Sequence, residues 1–197
     1  LKDKWYGDNR DLVKWGVLLQ LAKHHGINKI IHVAYYRTND WGKLNIDKSI
    51  LPIPNEVIQH FRNINNIVSL CANPIIKVLN QPFSDRVNYT QYVVAEIQNE
   101  GSEPMIIFLD PDTGLEPNVA HYEHVKESEL KLIWDNMKIG DILVFYQHKT
   151  NMSGVEWIKP KQKQFEDAIG LIRGGANIAK GRDIANDVVF FFSKKAA

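Results

Sequence analysis

The chain has 197 residues, of which 44% are hydrophobic and 24% are charged, and its formal net charge is +1. This composition is typical of a globular protein that buries its own core, and the small net charge argues against a dedicated nucleic-acid binder. A single cysteine, Cys71, excludes an internal disulfide framework, and no apolar run approaches the roughly 20 residues that a membrane span needs.

No charged-then-apolar leader opens the sequence, and no linker or internal repeat divides it. We therefore expect one cytoplasmic domain over residues 1–197 and no membrane partner. The sequence carries no signal for an oligomeric state.

The charges are unevenly distributed along the chain. Residues 1–84 carry 11 basic and 6 acidic side chains, residues 85–140 carry 4 and 11, and residues 141–197 carry 9 and 6. A phosphate-bearing ligand that approached the acidic middle third would need a divalent metal or the basic flanks to offset the repulsion.

The first predicted helix begins at a cap formed by Asp8 or Asn9 and ends at Gly26. Its apolar residues recur at helical spacing: Leu12, Trp15, Leu19 and Ala22. The β-branched and aromatic run 29–36 then predicts a buried strand, which ends in the polar residues 37–40.

The next segment is predicted with less regular structure. Residues 41–54 are predicted to form a loop, because prolines interrupt regular structure there. A short helix follows from residue 55, and two brief apolar runs lie at 67–71 and 75–79. The pairing of these runs stays open.

In the second half, helices and strands alternate. Helices are predicted over residues 84–101, 128–140 and 160–174, and strands over residues 105–109, 141–146, 176–180 and 188–192. Ser128 is the predicted cap of its helix, and Ile172 belongs to the apolar face of the last one. Apolar strands separated by helices predict an α/β fold. We expect a three-layer, mostly parallel, Rossmann-like sheet with a C-terminal antiparallel hairpin.

Polar residues follow three of the predicted strands. They are Tyr35, Tyr36, Arg37 and Asp40 after the first, Asp110 and Asp112 after the second, and Gln147, His148 and Lys149 after the third. Ligands of open α/β sheets bind beyond the carboxyl ends of the strands, so we expect these groups to line one rim.

The turn Asp110-Pro111-Asp112-Thr113-Gly114 is the best candidate site. Its proline and glycine favour a stiff turn, and its two carboxylates could bind a metal, act as general bases, or accept hydrogen bonds from an amine or a ribose. His148 could bind a metal or transfer a proton. Asp110, Asp112 and His148 are therefore the candidate catalytic residues.

Two further features are weaker. The start of the first helix carries Asp8, Arg10, Asp11 and Lys14, which is more charge than a cap needs, although a solvated helix end explains it equally well. The sequence lacks a Walker loop, a paired CxxC, HExxH, a nucleophile elbow and GxGxxG after the first strand. The enzyme classes that depend on these motifs lose support.

Three motifs together resemble a family of bacterial proteins that has no established activity. They are YGDxxDLxKW at residues 6–15, FLDPDTGL at 108–115 and FYQH at 145–148. They occur in the same order as in that family and span most of the chain. The resemblance is therefore specific for a family, but it indicates almost nothing about a reaction.

Residues 105–149 also resemble the centre of S-adenosylmethionine-dependent methyltransferases, in which a strand ends in an acidic-proline motif, a helix follows, and the next strand begins after a glycine. The resemblance implies that Asp110 holds the target amine, with nucleic acid as a candidate substrate. The residues assigned to S-adenosylmethionine are Tyr35, Tyr36, Asp8, Asp11 and Lys14. The methyltransferase glycine loop is absent after the first strand.

Two other functions fit the same residues. In a Mg²⁺-dependent nuclease or phosphoesterase, Asp110 and Asp112 would hold the metal, while Gln147 and Lys149 would position metal and water. A whole predicted helix separates these two pairs, whereas such nucleases place them on adjacent strands of a hairpin. The third candidate is a non-catalytic Rossmann-like binding module.

Overall fold

A computed structural model gives the fold and describes residue 2 and residues 5–37, 42–149 and 156–196. Within these ranges the α-helices are α1 (Asn9–His25), α2 (Asn55–Phe61), α3 (Arg86–Asn99), α4 (Glu127–Asn136) and α5 (Ile158–Ile169), with a 3-10 helix at Ile64–Ser69. The strands of the described ranges are β1 (Lys29–Val33), β2 (Lys43–Ile46), β3 (Ser49–Pro52), β4 (Ile75–Leu79), β5 (Ile106–Leu109), β6 (Gly114–Leu115), β7 (His124–Val125), β8 (Ile142–His148), β9 (Asn177–Gly181) and β10 (Ala185–Lys194). None of the described helices combines the length and the apolar character that a membrane span requires.

Six strands form the central sheet in the order β4-β1-β5-β8-β10-β9. The neighbours β4, β1, β5 and β8 are parallel, and β10 is antiparallel to both β8 and β9. The α/β fold with a mostly parallel sheet and a C-terminal antiparallel hairpin is therefore confirmed.

Helices cover both faces of the sheet. Successive residues of a strand point to opposite faces, so Phe108 packs with Leu18 of α1, whereas Leu109 packs in the core that α3, α4 and α5 cover. The aromatic rings of Phe145 and Phe165 belong to this second core. The protein thus has the three layers that the sequence predicts.

Helix α1 has the predicted ends and most of the predicted inner face. The Asp8 side chain accepts hydrogen bonds from the backbone of the first turn, and Gly26 closes the helix with φ 65°. Trp15 and Ala22 are buried, but Leu12, predicted on the same face, is exposed, whereas Asp11 and Lys14 are buried. The apolar pattern could not show that two charged residues point inward at the start of the helix.

The predicted loop at 41–54 contains a β-hairpin instead. Strands β2 and β3 pair antiparallel around Asp47 and Lys48, whose φ angles of 47° and 66° are left-handed. Two-residue hairpin turns need this geometry, and their usual sequence signal is Asn-Gly or Asp-Gly. The signal was absent, so the hairpin went unpredicted.

Strand β1 ends at Val33, three residues before the predicted end at Tyr36. Tyr35 has a left-handed φ of 44°, which a continuous strand cannot contain. A β-branched and aromatic composition could not reveal this local reversal.

Two helix boundaries also differ from the prediction. Ser128 lies inside α4 rather than capping it, and the Glu129 side chain accepts a hydrogen bond from the backbone of Lys126 instead. Helix α5 ends at Gly170, which has φ 74°, so Ile172 lies beyond the helix and is exposed. The helix therefore ends at a glycine that lies four residues before the predicted end.

Candidate functional site

A cleft of about 540 Å³ opens beyond the carboxyl ends of the parallel strands. The turn after β5 contributes Asp110, the end of β8 contributes His148, the segment after β1 contributes Arg37, and the first turns of α1 contribute Asp8 and Asp11. Strand β1 lies between β4 and β5, so the strand order reverses at this point. Ligands of open α/β sheets bind at such a reversal.

A buried charged cluster lies at the inner end of the cleft. Lys14 Nζ lies 2.7 Å from Asp11 Oδ1 and 2.8 Å from Asp110 Oδ2. His32 Nε2 lies 2.9 Å from the same oxygen of Asp110. A charged group inside a protein needs such partners, because its desolvation is costly. Helix α1 is thereby tied to the ends of two strands.

The charge state of this cluster follows from its contacts. Burial alone would raise the pKa of Asp110, but the Lys14 ammonium and the hydrogen bond from His32 lower that pKa to about 2. Burial lowers the pKa of His32, so the ring is neutral at pH 7. A carboxylate only accepts hydrogen bonds, so Nε2 of His32 carries the proton and donates a hydrogen bond to Asp110.

The second carboxylate oxygen of Asp110 differs from the first. Asp110 is only 1% exposed, and its Oδ1 has no hydrogen-bond partner in the described part of the chain. Asp110 also belongs to the wall of the cleft. The wall of the cleft therefore contains a buried, ionised acceptor that no described residue satisfies.

The other carboxylates of the cleft and its rim lie beside arginines. Arg37 donates to Asp112, and its Nη1 lies 3.6 Å from Glu123 Oε2. Arg10 bridges Asp8 and Asp187, with 3.1 Å from its Nη1 to Asp8 Oδ2 and from its Nε to Asp187 Oδ2. Positive charge is thus already placed against each acidic group.

His148 lies in the wall of the cleft, at the end of β8. Its Nδ1 lies 3.0 Å from the carbonyl oxygen of Lys149, and its Nε2 lies 3.1 Å from Asp187 Oδ2. Both partners only accept hydrogen bonds. Both ring nitrogens of His148 thus face acceptors of other residues rather than Asp110.

Gln147 was expected at the rim, but β8 continues through it and buries its side chain completely. Its Oε1 accepts a hydrogen bond of 2.9 Å from the backbone of Leu115, and its Nε2 donates one of 3.1 Å to the carbonyl of Thr113. Gly114 has φ 125°, and a Cβ there would lie 2.4 Å from the Gln147 side chain. Gln147 thus fixes the turn that carries Asp110.

Tyr35 and Tyr36, assigned to a cofactor from the sequence, do not line the cleft. Tyr35 is buried, with its ring centroid 5.1 Å from that of Phe83 and 5.3 Å from that of Tyr89. Tyr36 packs beside Ala34 in a small separate cluster. Of the five residues assigned to the cofactor, Asp8, Asp11 and Lys14 line the cleft.

The sequence did not single out two residues that the structure brings to the site, His32 and Asp187. The only sequence signal for His32 was a lone histidine within an apolar strand, which is more often structural. Asp40, expected at this rim, lies outside the described residues. In the part of the chain that the structure describes, no group of three potential metal ligands comes together. His121 and His124 are therefore not part of such a group.

Comparison with known proteins gives few matches. No protein-family model and no curated protein sequence matches the chain. Its structure is similar to that of a "putative methyltransferase" from Thermobifida fusca YX, with 14% sequence identity, 96% of this chain and 80% of that chain covered, and a TM-score of 0.46. It is also similar to PigF with SAH, with 12% identity, 98% and 61% coverage, and a TM-score of 0.38.

Proposed function

We propose that the cleft binds a ligand through an amino group that donates a hydrogen bond to Asp110. The observation that carries this proposal is the Oδ1 atom of Asp110, which is buried, ionised and without a partner among the described residues. A hydrogen bond to a charged group contributes about 1.5–3 kcal/mol, and a buried acceptor without one costs a comparable amount. A donor from a ligand would recover this energy.

The position of the acceptor supports a ligand rather than a structural partner. Lys14 and His32 already occupy Oδ2, so Oδ1 is the oxygen of Asp110 that remains for a ligand. The turn is stiff, since Pro111 follows Asp110 and Gln147 holds the backbone from Thr113 to Leu115. A preorganised acceptor binds a donor without first having to be ordered.

Methyl transfer to this amine is the second candidate function. It is favoured by the acidic-proline turn at the end of β5, which α4 follows and after which β8 begins beyond Gly140. This is the arrangement in which the resemblance to methyltransferases assigns the target amine to Asp110. S-adenosylmethionine would supply the methyl group.

The segment after β1 does not fit that cofactor. A cofactor loop there needs glycines, which allow the ligand to approach the backbone closely. This chain instead has Tyr35, whose ring packs against those of Phe83 and Tyr89. Asp8, Asp11 and Lys14 would have to hold the cofactor alone. Ligand binding is therefore better supported than methyl transfer and is the proposed function.

The Mg²⁺-dependent nuclease has less support. Asp112 already accepts from Arg37, so a metal would have to displace this cation, and no group of three potential metal ligands comes together among the described residues. A nucleic-acid substrate would also bring phosphates towards the carboxylates of the rim, which opposes binding.

A thermal-shift comparison tests the proposed function. The probes are two pairs that differ mainly in the amino group: cytidine against uridine, and n-butylammonium chloride against 1-butanol. We expect at least one amine of the two pairs to raise the melting temperature, and its oxygen analogue to leave it unchanged, because only folded protein binds the ligand.

The variant for this experiment is Asp110→Asn. Lys14 and His32 require an acceptor, so the amide oxygen takes the place of Oδ2 and the amide nitrogen takes the place of Oδ1. The variant should therefore lose the response, whereas Asp135→Asn on the exposed surface of α4 should keep it. The proposal fails if neither amine binds or if Asp110→Asn binds as well as the wild type. S-adenosylhomocysteine in the same assay tests the methyltransferase candidate.

A further inference from the structure

The buried cluster at the inner end of the cleft contains more negative than positive charge. Lys14 is its cation, Asp11 and Asp110 are both within 2.8 Å of the ammonium, and His32 is neutral. Among the described residues, one positive charge therefore faces two carboxylates. Desolvated carboxylates are stable only when charge and hydrogen bonds compensate them, and Oδ1 of Asp110 has no hydrogen-bond partner in the described part of the chain.

We propose that the ligand of the cleft is an ammonium compound, so that its charged amino group completes the cluster at Oδ1 of Asp110. This rests on the proposed function, which places an amino group at Asp110, and it adds that this group is a cation. The rest of the wall favours the same class, because the arginines of the cleft are each shared between two carboxylates.

The geometry selects ammonium over guanidinium. A guanidinium binds a carboxylate best through two parallel hydrogen bonds, one to each oxygen. Oδ2 of Asp110 already accepts from Lys14 and from His32, so only Oδ1 is left to accept from a ligand. A single oxygen suits the point charge of an ammonium group.

Aromatic side chains of the cleft suit a cation as well. The Tyr146 ring lines the cleft and lies 5.4 Å from Lys14 Nζ, so a cation already stacks on it. Trp5 lines the cleft too and is 50% exposed. The face of an indole ring attracts cations within about 6 Å. Trp5 can thus contact an alkylammonium ligand near the solvent.

Phosphate-bearing ligands have the opposite requirement. Their oxygens would lie against the carboxylates of Asp110, Asp8 and Glu123, and the two arginines of the cleft are already bound to carboxylates. Among the described residues that line the cleft, five are acidic and four are lysine or arginine, and this small negative excess favours ammonium groups over polyanions. This separates an ammonium ligand from a nucleotide with an uncharged amino group.

The test is an NMR titration of the ¹⁵N-labelled full chain with n-butylammonium chloride, 1-butanol and cytidine. We expect saturable shifts in the amides of the turn after β5 with butylammonium, and at least about tenfold weaker binding of 1-butanol and of cytidine. Asp110→Asn should weaken butylammonium binding by about tenfold or more, and Asp135→Asn should not change it.

Salt gives a second measurement that needs no variant. Ammonium binding to the wild-type chain should weaken between 20 mM and 500 mM NaCl, since salt screens the attraction between the approaching cation and the charged wall of the cleft over about 10 Å or less. Cytidine that binds at Asp110 while butylammonium does not would overturn the ammonium proposal and leave the proposed function standing. Absence of binding by both probes would overturn both. An affinity for butylammonium that changes neither with salt nor on Asp110→Asn would also overturn this proposal.

Discussion

Lys14 Nζ lies 2.8 Å from Asp110 Oδ2, although 96 residues separate the two in sequence. This ion pair joins the first helix to the end of β5 and is almost completely shielded from water, with side-chain exposures of 3% and 1%. It determines both how the acidic turn is anchored and how much negative charge the cleft presents.

Replacing Lys14 by methionine should destabilise the fold strongly. The variant Lys14→Met leaves two buried carboxylates, Asp11 and Asp110, without their cation, and breaking a buried pair in this way costs about 3–5 kcal/mol. Urea denaturation measures the change. The matched control Lys131→Met removes an exposed cation beside Asp135 and should cost about 0–1 kcal/mol. Equal effects of both variants would mean that the pair contributes no more than a surface contact.

Asp110 should make stability depend on acid. Its pKa falls from the ordinary 3.8 to about 2 in the folded chain, so the folded state holds the ionised form more strongly than the unfolded state. The resulting contribution, about 2 kcal/mol, is fully present above pH 4 and is lost as the pH falls through 4 towards 2.

The measurement is the free energy of unfolding between pH 6 and pH 2. Asp110→Asn cannot titrate and should lack this part of the pH dependence, whereas Asp135→Asn should retain it. Identical curves for the wild type and Asp110→Asn would contradict the lowered pKa.

Gly114→Ala should be poorly tolerated. The new Cβ would lie 2.4 Å from the Gln147 side chain at a backbone φ of 125°, which residues with a side chain rarely adopt. We expect a loss of about 2 kcal/mol or more from steric overlap and backbone strain together. Gly16→Ala is the matched control: its Cβ meets nothing within 4 Å inside α1, so it should stabilise the protein by up to about 1 kcal/mol.

The double variant Gly114→Ala/Gln147→Ala separates the two causes. It removes the overlap but not the strained φ. The double variant should therefore lose less thermal stability than the two single variants lose in sum. Strict additivity in a double-mutant cycle would show that the two side chains do not interact.

Binding of n-butylammonium should be nearly constant from pH 5 to pH 9. The pKa of Asp110 is about 2, so the acceptor stays ionised over this range. A primary alkylammonium loses its charge near pH 10.4, the ordinary value for lysine, and binding should fall there. NMR titrations at successive pH values measure this. A change of binding within this range would contradict Asp110 as the controlling group.

The sequence predicts the layers and the sheet because these depend on local patterns. The caps of α1 and the buried strand β5 are encoded within a few residues, and so is the hairpin of β9 and β10. The turn at Asp110 is predicted for the same reason: a strand end, a proline and a glycine are neighbours in the chain.

Contacts between distant segments could not be predicted. The apolar spacing of α1 pointed to Leu12, because a periodicity analysis cannot know that Lys14 finds a carboxylate on another strand. His32 looks like a structural histidine until Asp110 is placed beside it. The position of Tyr35 depends on a single left-handed residue, and its packing against Phe83 and Tyr89 closes the expected cofactor loop.

The fit of Gln147 against Gly114 makes two motifs of the chain depend on each other. A related protein that keeps a large amide at the end of β8 must keep a glycine in the turn after β5, and an exchange of either segment between relatives would separate partners shaped for each other. Grafting the acidic turn into another Rossmann-like protein should therefore require transfer of the FYQH strand end as well. The end of β8 is therefore part of the site, together with the turn itself.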